Sequence, residues 1–354
     1  MKKKMVILVF LLFCIMAIGS IQIAAQESIK LGLPQAVEIA LTNNLEFQKA
    51  TSQLENAKID YKKSESDNLL SQSSLLKQQA ELQLAQGEEE LQQQKEDIII
   101  QAVDEYLHLN LAQKDLQLKE KELKLKKNIL DEIKAQVKAG YKVELDILEQ
   151  NTEYFDALFS LENAKLEYLQ LLESFRMTLG LASDIKFEIM AFDLPDFKEI
   201  DLQKVLQEGR KNSKELQMKS LKIDSASQEL EKSKVSDTPE IDLNKLENNL
   251  AITKLDYLIV QQNLDYQIQS QWQNYVQTKN DIILSQNSLN QIKENKTIIS
   301  NQVKAGLASE NEELSAIIGV LEAEYRGISS VRNCYSALLN LQSIMGNLNK
   351  GDIL

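Results

Sequence analysis

The segment Gln-Val-Lys-Ala-Gly occurs at residues 136–140 and again at residues 302–306, an offset of 166 positions. Forty residues after each of these segments stands another glycine, Gly180 in the first case and Gly346 in the second. A repeated segment with a fixed spacing to a second glycine indicates an internal duplication. Because glycine is favoured where a helix ends in a left-handed turn, each copy predicts a long helix, a chain reversal and a second helix.

Helix-breaking residues are scarce in this chain. The 354 residues include 3 Pro and 11 Gly, whereas globular proteins average about 5% Pro and about 7% Gly. Long uninterrupted helices are therefore expected. The net charge of −13 leaves no basic stripe, which argues against a nucleic-acid partner.

The predicted helix from Leu75 to Lys138 contains no proline and would be about 95 Å long. Its C-terminal half carries two apolar rows with a seven-residue period, which lie two residues apart and hence about 200° around the helix. Opposed rows require a neighbour on each side, which favours a wall of helices over the alternative, an ordinary helical bundle. One row contains Leu109, Leu116, Leu123, Leu130 and Val137, and the other contains Leu111, Leu118 and Leu125.

The same pairs of rows recur in other predicted helices. After Gly140, the first row is Ile147, Tyr154, Leu161, Tyr168 and Phe175, and the second contains Leu145, Phe159 and Leu166 with Thr152 in register. A helix of about 65 residues that ends at Lys304 pairs Leu250, Tyr257 and Leu264 with Ile252, Ile259 and Tyr266. After Gly306, Leu314, Leu321, Ile328 and Tyr335 repeat every seven residues. These four helices are therefore expected to share one packing geometry.

The N-terminal residues 1–25 have the pattern of a signal peptide. Three lysines precede an apolar stretch from Met5 to Ile18, and Ile23-Ala24-Ala25 provides a small-residue cleavage site. The sequence therefore predicts an exported protein. Cys334 is the only cysteine outside this segment, so no internal disulfide is expected.

The mature chain divides into a first repeat (26–182), a linker (183–200) and a second repeat (201–354). The first repeat is expected to begin with a helix from Leu33 to about Lys63, which the serine-rich stretch that follows would weaken. In the linker, alternation from Ile185 to Ile189 is typical of a short strand. The predicted fold is all-α, with two tandem repeats of very long antiparallel helical hairpins and little or no β-structure.

Three sets of residues resemble the TolC-like outer-membrane efflux channel family. The hairpin tip resembles the family's at Lys138-Ala139-Gly140 followed by Leu145-Asp146-Ile147-Leu148, and the repeat ends similarly at Leu179-Gly180-Leu181. The resemblance covers nearly the whole mature chain. The set near the mature N-terminus is Leu33, Ala36, Val37, Ala40, Leu41, Asn44, Glu46 and Phe47.

The resemblance implies that three copies, each with two repeats, close a tunnel of twelve helical strands. Such tunnels are exit ducts of tripartite efflux pumps and type I secretion systems, and their hairpin tips dock an adaptor protein. The family also inserts a β-hairpin after the first helix of each repeat, and these hairpins cross the outer membrane. Residues 64–76 and 233–246 lack the alternation that such strands need, so membrane insertion is doubtful and an all-helical relative is expected.

The tips contain the candidate functional residues. Gly140, Gly306, Lys138 and Lys304 are expected at the chain reversals and at the docking surface for the adaptor. The resemblance implies an acidic gate at Asp146, Glu149 and Glu312, whereas Ser315 replaces the second acid of the second repeat. The alternative is that these acids favour the N-terminal turn of a helix through its dipole.

No catalytic constellation is present, and no cofactor or metal is expected. His108 is the only histidine, and Cys334 is the only cysteine outside the predicted signal peptide. With one residue of each type, nucleophilic triads and His/Cys metal sites are excluded. The sequence therefore predicts a non-enzymatic export duct in the cell envelope, assembled as a homotrimer with an adaptor and an inner-membrane pump. It would lie in the outer membrane or periplasm, or on the extracellular face of an organism without an outer membrane. The alternative is a secreted coiled-coil scaffold or spacer with no transport role.

Overall fold

The computed structural model describes residues 29–71, 74–190, 197–236, 238–346 and 348. The predicted signal peptide lies outside these residues, so the prediction of export is not tested by the fold.

The described residues form eight helices and two short strands in a repeated order. The two longest helices have 65 residues each and the two that follow them have 35 each, as the duplication predicts. The first repeat contains β1 (Ile29–Leu31), α1 (Leu33–Asn43), α2 (Leu45–Ser71), α3 (Ser74–Lys138) and α4 (Glu144–Thr178). The rest of the chain contains β2 (Phe187–Ile189), α5 (Leu202–Asn212), α6 (Lys214–Val235), α7 (Glu240–Lys304) and α8 (Glu310–Ile344).

The first predicted helix is divided in two and is longer than expected. At Asn44 the backbone is extended, with φ −64° and ψ 122°, and the Asn44 side chain accepts the Phe47 N–H at 3.1 Å. Ser213 divides α5 from α6 in the same way, and its hydroxyl accepts the Leu216 N–H at 3.2 Å. The predicted end near Lys63 was also wrong, because α2 continues to Ser71.

The two segments without strand alternation are helical in nearly every described residue. Residues 64–71 belong to α2 and residues 74–76 to α3. In the second repeat, residues 233–235 belong to α6 and residues 240–246 to α7. In each repeat, the helices on both sides of the segment therefore extend into it.

The long helices pack side by side as a four-helix wall in the order α4, α3, α8, α7. On one side of α3, Leu118 packs against Leu314 and Ile318 of α8. On the other side, Lys126 pairs with Glu153 of α4 at 2.7 Å. Towards the other end of the long helices, α1 and α2 pack on α3, and α5 and α6 pack on α7. The prediction that two apolar rows on α3 need two neighbours is confirmed.

Tyrosines in the two repeats bind the connecting segment to the main core. The Tyr106 hydroxyl donates to the Met190 carbonyl at 2.9 Å, and β1 and β2 pair in parallel beside it. The Tyr275 hydroxyl donates to the Lys198 carbonyl at 2.6 Å. Tyr106 lies on α3 and Tyr275 lies on α7, so the segment is bound by both repeats.

Each repeat ends on a glycine that packs against a short helix. Gly180 has φ +61° and lies against Asn43, whose side-chain amide donates to the Leu179 carbonyl at 3.3 Å. In the second repeat Gly346 has φ +64°, and the Asn212 amide donates to the Met345 carbonyl at 2.9 Å. A Cβ at position 180 would stand 2.8 Å from the Asn43 Cβ and 2.9 Å from its carbonyl oxygen.

We predict that Gly180→Ala destabilises the chain more than Gly140→Ala. Both positions are left-handed, which costs an alanine about 1–2 kcal/mol, but a Cβ at Gly140 meets no atom within 4 Å. Overpacking against Asn43 adds about 1–3 kcal/mol at position 180. The midpoint of urea unfolding should therefore fall further for Gly180→Ala, and equal shifts for the two variants would contradict the described packing.

Candidate functional site at the hairpin tips

Both long helices end in the same hydrogen-bonded glycine turn. At the first tip Gly140 has φ +81°, its N–H donates to Val137 at 2.9 Å, and the Tyr141 N–H donates to Gln136 at 2.9 Å. At the second tip Gly306 has φ +70°, with its N–H donating to Val303 at 3.0 Å. These paired bonds end a helix on a left-handed glycine, so the predicted reversals at Gly140 and Gly306 are where the chain turns.

A lysine occupies the last helical position before each turn. Lys138 ends α3 and Lys304 ends α7, and both side chains are exposed. A cation at a helix C-terminus is stabilised by the helix dipole. Both lysines therefore have a local structural role as well as lying on the exposed surface of the tips.

The acids at two predicted gate positions receive hydrogen bonds from the start of their own helices. Asp146 accepts the Val143 N–H at 2.9 Å. Glu312 accepts both the N–H of Ser309 at 2.6 Å and its hydroxyl at 2.9 Å, and the Ser309 hydroxyl accepts the Glu312 N–H at 3.2 Å. This geometry supports the helix-start interpretation of both residues.

The Ser309 contacts also set the acidity of Glu312. Its pKa lies below the ordinary value of 4.5, first because the Ser309 backbone N–H donates to the carboxylate and second because the Ser309 hydroxyl does. Glu312 is therefore held in its charged form at neutral pH. The third candidate acid, Glu149, is exposed on α4.

The structure does not bring these acids together within one copy. Asp146 and Glu149 lie on α4 and Glu312 lies on α8, while α3 packs between these two helices. A ring of acids would consequently need further copies of the chain.

The second hairpin has a groove beside small residues that the first hairpin replaces with larger ones, a feature the sequence analysis missed. Its volume is about 480 Å³, and it lies between α7 and α8 beside Ala316 and Gly319. The counterpart of Gly319 in the first hairpin is Glu153, whose carboxylate pairs with Lys126 of α3. Small residues at positions 316 and 319 were the available signal.

The two outer helices of the wall expose one of their apolar rows. On α4 the inner row is covered, with Leu161 and Phe175 buried, but Phe159 of the outer row is 72% exposed. Apart from Met177, the exposed large apolar residues of α4 have mostly three- and four-residue spacing: Leu145, Leu148, Phe155, Phe159, Leu166 and Leu169.

On α7 the outer row is exposed in the same way. Tyr266 is 74% exposed, whereas Leu264 packs against the core. The other members of this exposed row are Ile252, Leu255 and Ile259. By contrast, Tyr325 is the only exposed large apolar side chain among the described residues of α3 and α8, the two central helices of the wall. The outer rows of α4 and α7 are hereafter called the α4 edge and the α7 edge.

The described residues offer little reactive chemistry. Cys334 is buried, and this burial raises the pKa of its thiol to about 11, which leaves the thiolate scarce at neutral pH. No group of three or more His, Cys, Asp or Glu residues within the described ranges is placed to hold a metal ion. In the same part of the chain, no helix combines the length and apolarity needed to cross a membrane.

Solved structures of bacterial channel proteins share this fold. A structure of CusC, described in connection with transmembrane channel formation, is 12% identical and has a TM-score of 0.60, with 93% of this chain and 96% of that chain covered. The CmeC outer-membrane channel of Campylobacter jejuni is 12% identical with a TM-score of 0.61, over 91% of this chain and 88% of that chain. The outer-membrane protein VceC of Vibrio cholerae is 11% identical with a TM-score of 0.58, over 89% and 96%.

The relationship rests on structure alone. No family model matches the sequence, and no curated protein matches it. At these identities the similarity establishes the fold alone, which is an all-α fold of long helices shared with these channel proteins. The neighbouring structures are channel proteins and not enzymes.

We predict that the Glu312 carboxyl titrates below 4.5 and that Ser309→Ala raises its midpoint towards that value. The titration midpoint should rise only part of the way to 4.5, because the backbone N–H of residue 309 still donates to the Glu312 carboxylate. Since the pKa of Glu312 is lowered in the folded chain, its contribution to stability is present above the unfolded value and is lost as the pH falls through the folded value.

Carbon-13 NMR of the Glu312 side chain measures this midpoint. Ser315→Ala is the matched control, since that hydroxyl donates to the Asn311 carbonyl at 2.8 Å and not to the Glu312 carboxylate. A midpoint at or above 4.5 in the unmodified chain would contradict the described cap.

Proposed function

We propose that this chain is a duct component of a cell-envelope export system, in which copies of the chain close a helical tunnel. The observation that supports the proposal most strongly is the pair of exposed apolar rows at the two edges of the four-helix wall. Such rows resemble one half of a coiled-coil seam and are satisfied by a second helix. The α4 edge and the α7 edge therefore need partners outside the described chain.

A second copy is the simplest partner for each edge. The two edges lie on different helices at opposite sides of the wall, so the α4 edge of one copy meets the α7 edge of the next. A contact between two different surfaces builds a ring when the rotation closes. Three copies with four helices each give the twelve-helix tunnel that the family resemblance implies.

The proposed duct has no chemistry of its own, and an inner-membrane pump would supply the energy. In this proposal the tips around Gly140 and Gly306, with Lys138 and Lys304, dock an adaptor of that pump. Closure would bring the acids at Asp146, Glu149 and Glu312 of all copies to one end of the tunnel, where they would favour cations. The predicted signal peptide at residues 1–25 would direct the protein to the cell envelope.

We predict that Phe159→Glu disrupts assembly, whereas Ser160→Glu does not. Phe159 lies in the α4 edge, and a carboxylate there would be desolvated without a partner in the interface. Position 160 is also exposed, but it lies about 100° around the helix from Phe159. Sedimentation velocity should show smaller particles for Phe159→Glu only. Unchanged assembly in both variants would remove the α4 edge from the interface.

A photocrosslinking residue at the tips tests the proposed adaptor contact. We propose to introduce p-benzoylphenylalanine at Glu144 or at Glu310, the first residues of α4 and α8, in cells that produce the full chain. Glu55, an exposed residue of α2, is the matched position away from the tips. The duct predicts adducts from the tips with a second, membrane-anchored protein and none from Glu55. Adducts with the chain itself only, or none, would favour the scaffold alternative.

A further inference from the structure

The two tips have the same backbone turn but different residues after the glycine. The first tip continues with Tyr141, Lys142 and Val143, and the second with Leu307, Ala308 and Ser309. In the second tip the Ser309 hydroxyl accepts a backbone N–H and so caps α8. Val143 stands at the same position before α4 but makes no side-chain cap. Valine is among the poorest residues for this position and serine among the best.

The first tip also exposes more apolar surface beyond the ends of the helices. Tyr141 is 84% exposed and Val143 is 63% exposed. Of the three corresponding residues in the second tip, only Leu307 is a large apolar residue, and it is 80% exposed. An exposed aromatic and a β-branched residue where a polar cap would stabilise the helix indicate an interaction surface.

A neighbouring copy along the α4 edge would not cover this surface. The α4 edge begins at Leu145, within the first turn of the helix, and continues away from the tip. Tyr141 and Val143 precede α4, in the turn that follows α3, and so are not part of the α4 edge. We infer that their partner is a different protein that approaches the tip.

The charge at the apex indicates what that partner presents. Lys138 and Lys142 stand on either side of the first turn, and Lys142 is exposed, in a chain of net charge −13. The second tip has Ala308 in place of Lys142 and Glu313 in place of Ile147. Lysines beside an aromatic residue complement an apolar pocket with carboxylates on its rim.

We propose that the first tip is the principal anchor of the partner protein, which receives Tyr141 and Val143 in an apolar pocket rimmed by carboxylates. The inference rests on the proposed function, in which the tips dock an adaptor, and adds that the two tips contribute unequally. The second tip has a capped helix, one more acid in its first turn (Glu313) and no counterpart of Lys142, and it contributes little to the contact.

Exchanging the two tripeptides tests this inequality. Tyr141→Leu with Lys142→Ala and Val143→Ser converts the first tip to the second, and Leu307→Tyr with Ala308→Lys and Ser309→Val makes the reverse change. The probe is the adduct formed by p-benzoylphenylalanine at Glu144 in the full chain, quantified for each variant, with the contact peptide of the adduct identified by mass spectrometry.

The first exchange should lower the adduct yield at least about tenfold while the thermal unfolding midpoint stays equal or rises, because the serine introduced by Val143→Ser can cap α4. The reverse exchange should leave the yield within about twofold although it removes a cap. The conservative variant Tyr141→Phe with Lys142→Arg and Val143→Ile should retain the yield. The contact peptide should contain apolar residues together with Asp or Glu.

Three results would overturn the proposal. They are an unchanged yield after the first exchange, an equal loss after both exchanges, and a contact peptide from this chain itself. An equal loss would leave docking at the tips intact and remove only the inequality. Absence of any adduct from both Glu144 and Glu310 in the unmodified chain would reject the proposed function as well.

Discussion

A helix that carries two apolar rows about 200° apart cannot bury both rows against one neighbour. This constraint determines the arrangement of the long helices. The central helices α3 and α8 satisfy it within the chain, since α3 lies between α4 and α8 and α8 lies between α3 and α7. The outer helices α4 and α7 satisfy it on one side only, which leaves Phe159 and Tyr266 exposed. The fold of one copy is therefore a section of wall with two unsatisfied edges, and the proposed tunnel is the closed form of that wall.

Polar contacts between the two hairpins hold such a wall in register. Arg332 of α8 makes a two-pronged pair with Asp104 of α3, at 2.7 and 2.8 Å, which joins the two hairpins along their length. Nearer the tips, Asn311 of α8 accepts from Asn128 at 3.0 Å and donates to Glu132 at 2.7 Å. At the other end of the hairpins, Tyr106 and Tyr275 bind the connecting segment to both repeats. The two hairpins thus form one continuous wall, because polar contacts join them from the core to the tips.

Much of this architecture could be predicted from the sequence, because long helices and glycine turns leave strong local signals. The reversals at Gly140 and Gly306, the 65-residue helix to Lys304 and the strand around Phe187 were confirmed. The breaks at Asn44 and Ser213 were missed, since neither residue is Gly or Pro and a side-chain cap ends a helix with little compositional trace. The parallel pairing of β1 with β2 was also missed, because three-residue strands far apart in sequence carry no pattern that identifies their partners. At the tips, the acids were recognised but their hydrogen bonds to Val143 and Ser309 depend on local backbone geometry.

Electron cryomicroscopy of the purified mature protein without detergent would test the central claim most directly, because end-on views count helices. We expect a closed ring with three-fold symmetry and twelve helical cross-sections at the level of α4 and α7, in which the α4 edge of each copy faces the α7 edge of the next. Separate four-helix slabs, or particles in which either edge remains open to solvent, would contradict it.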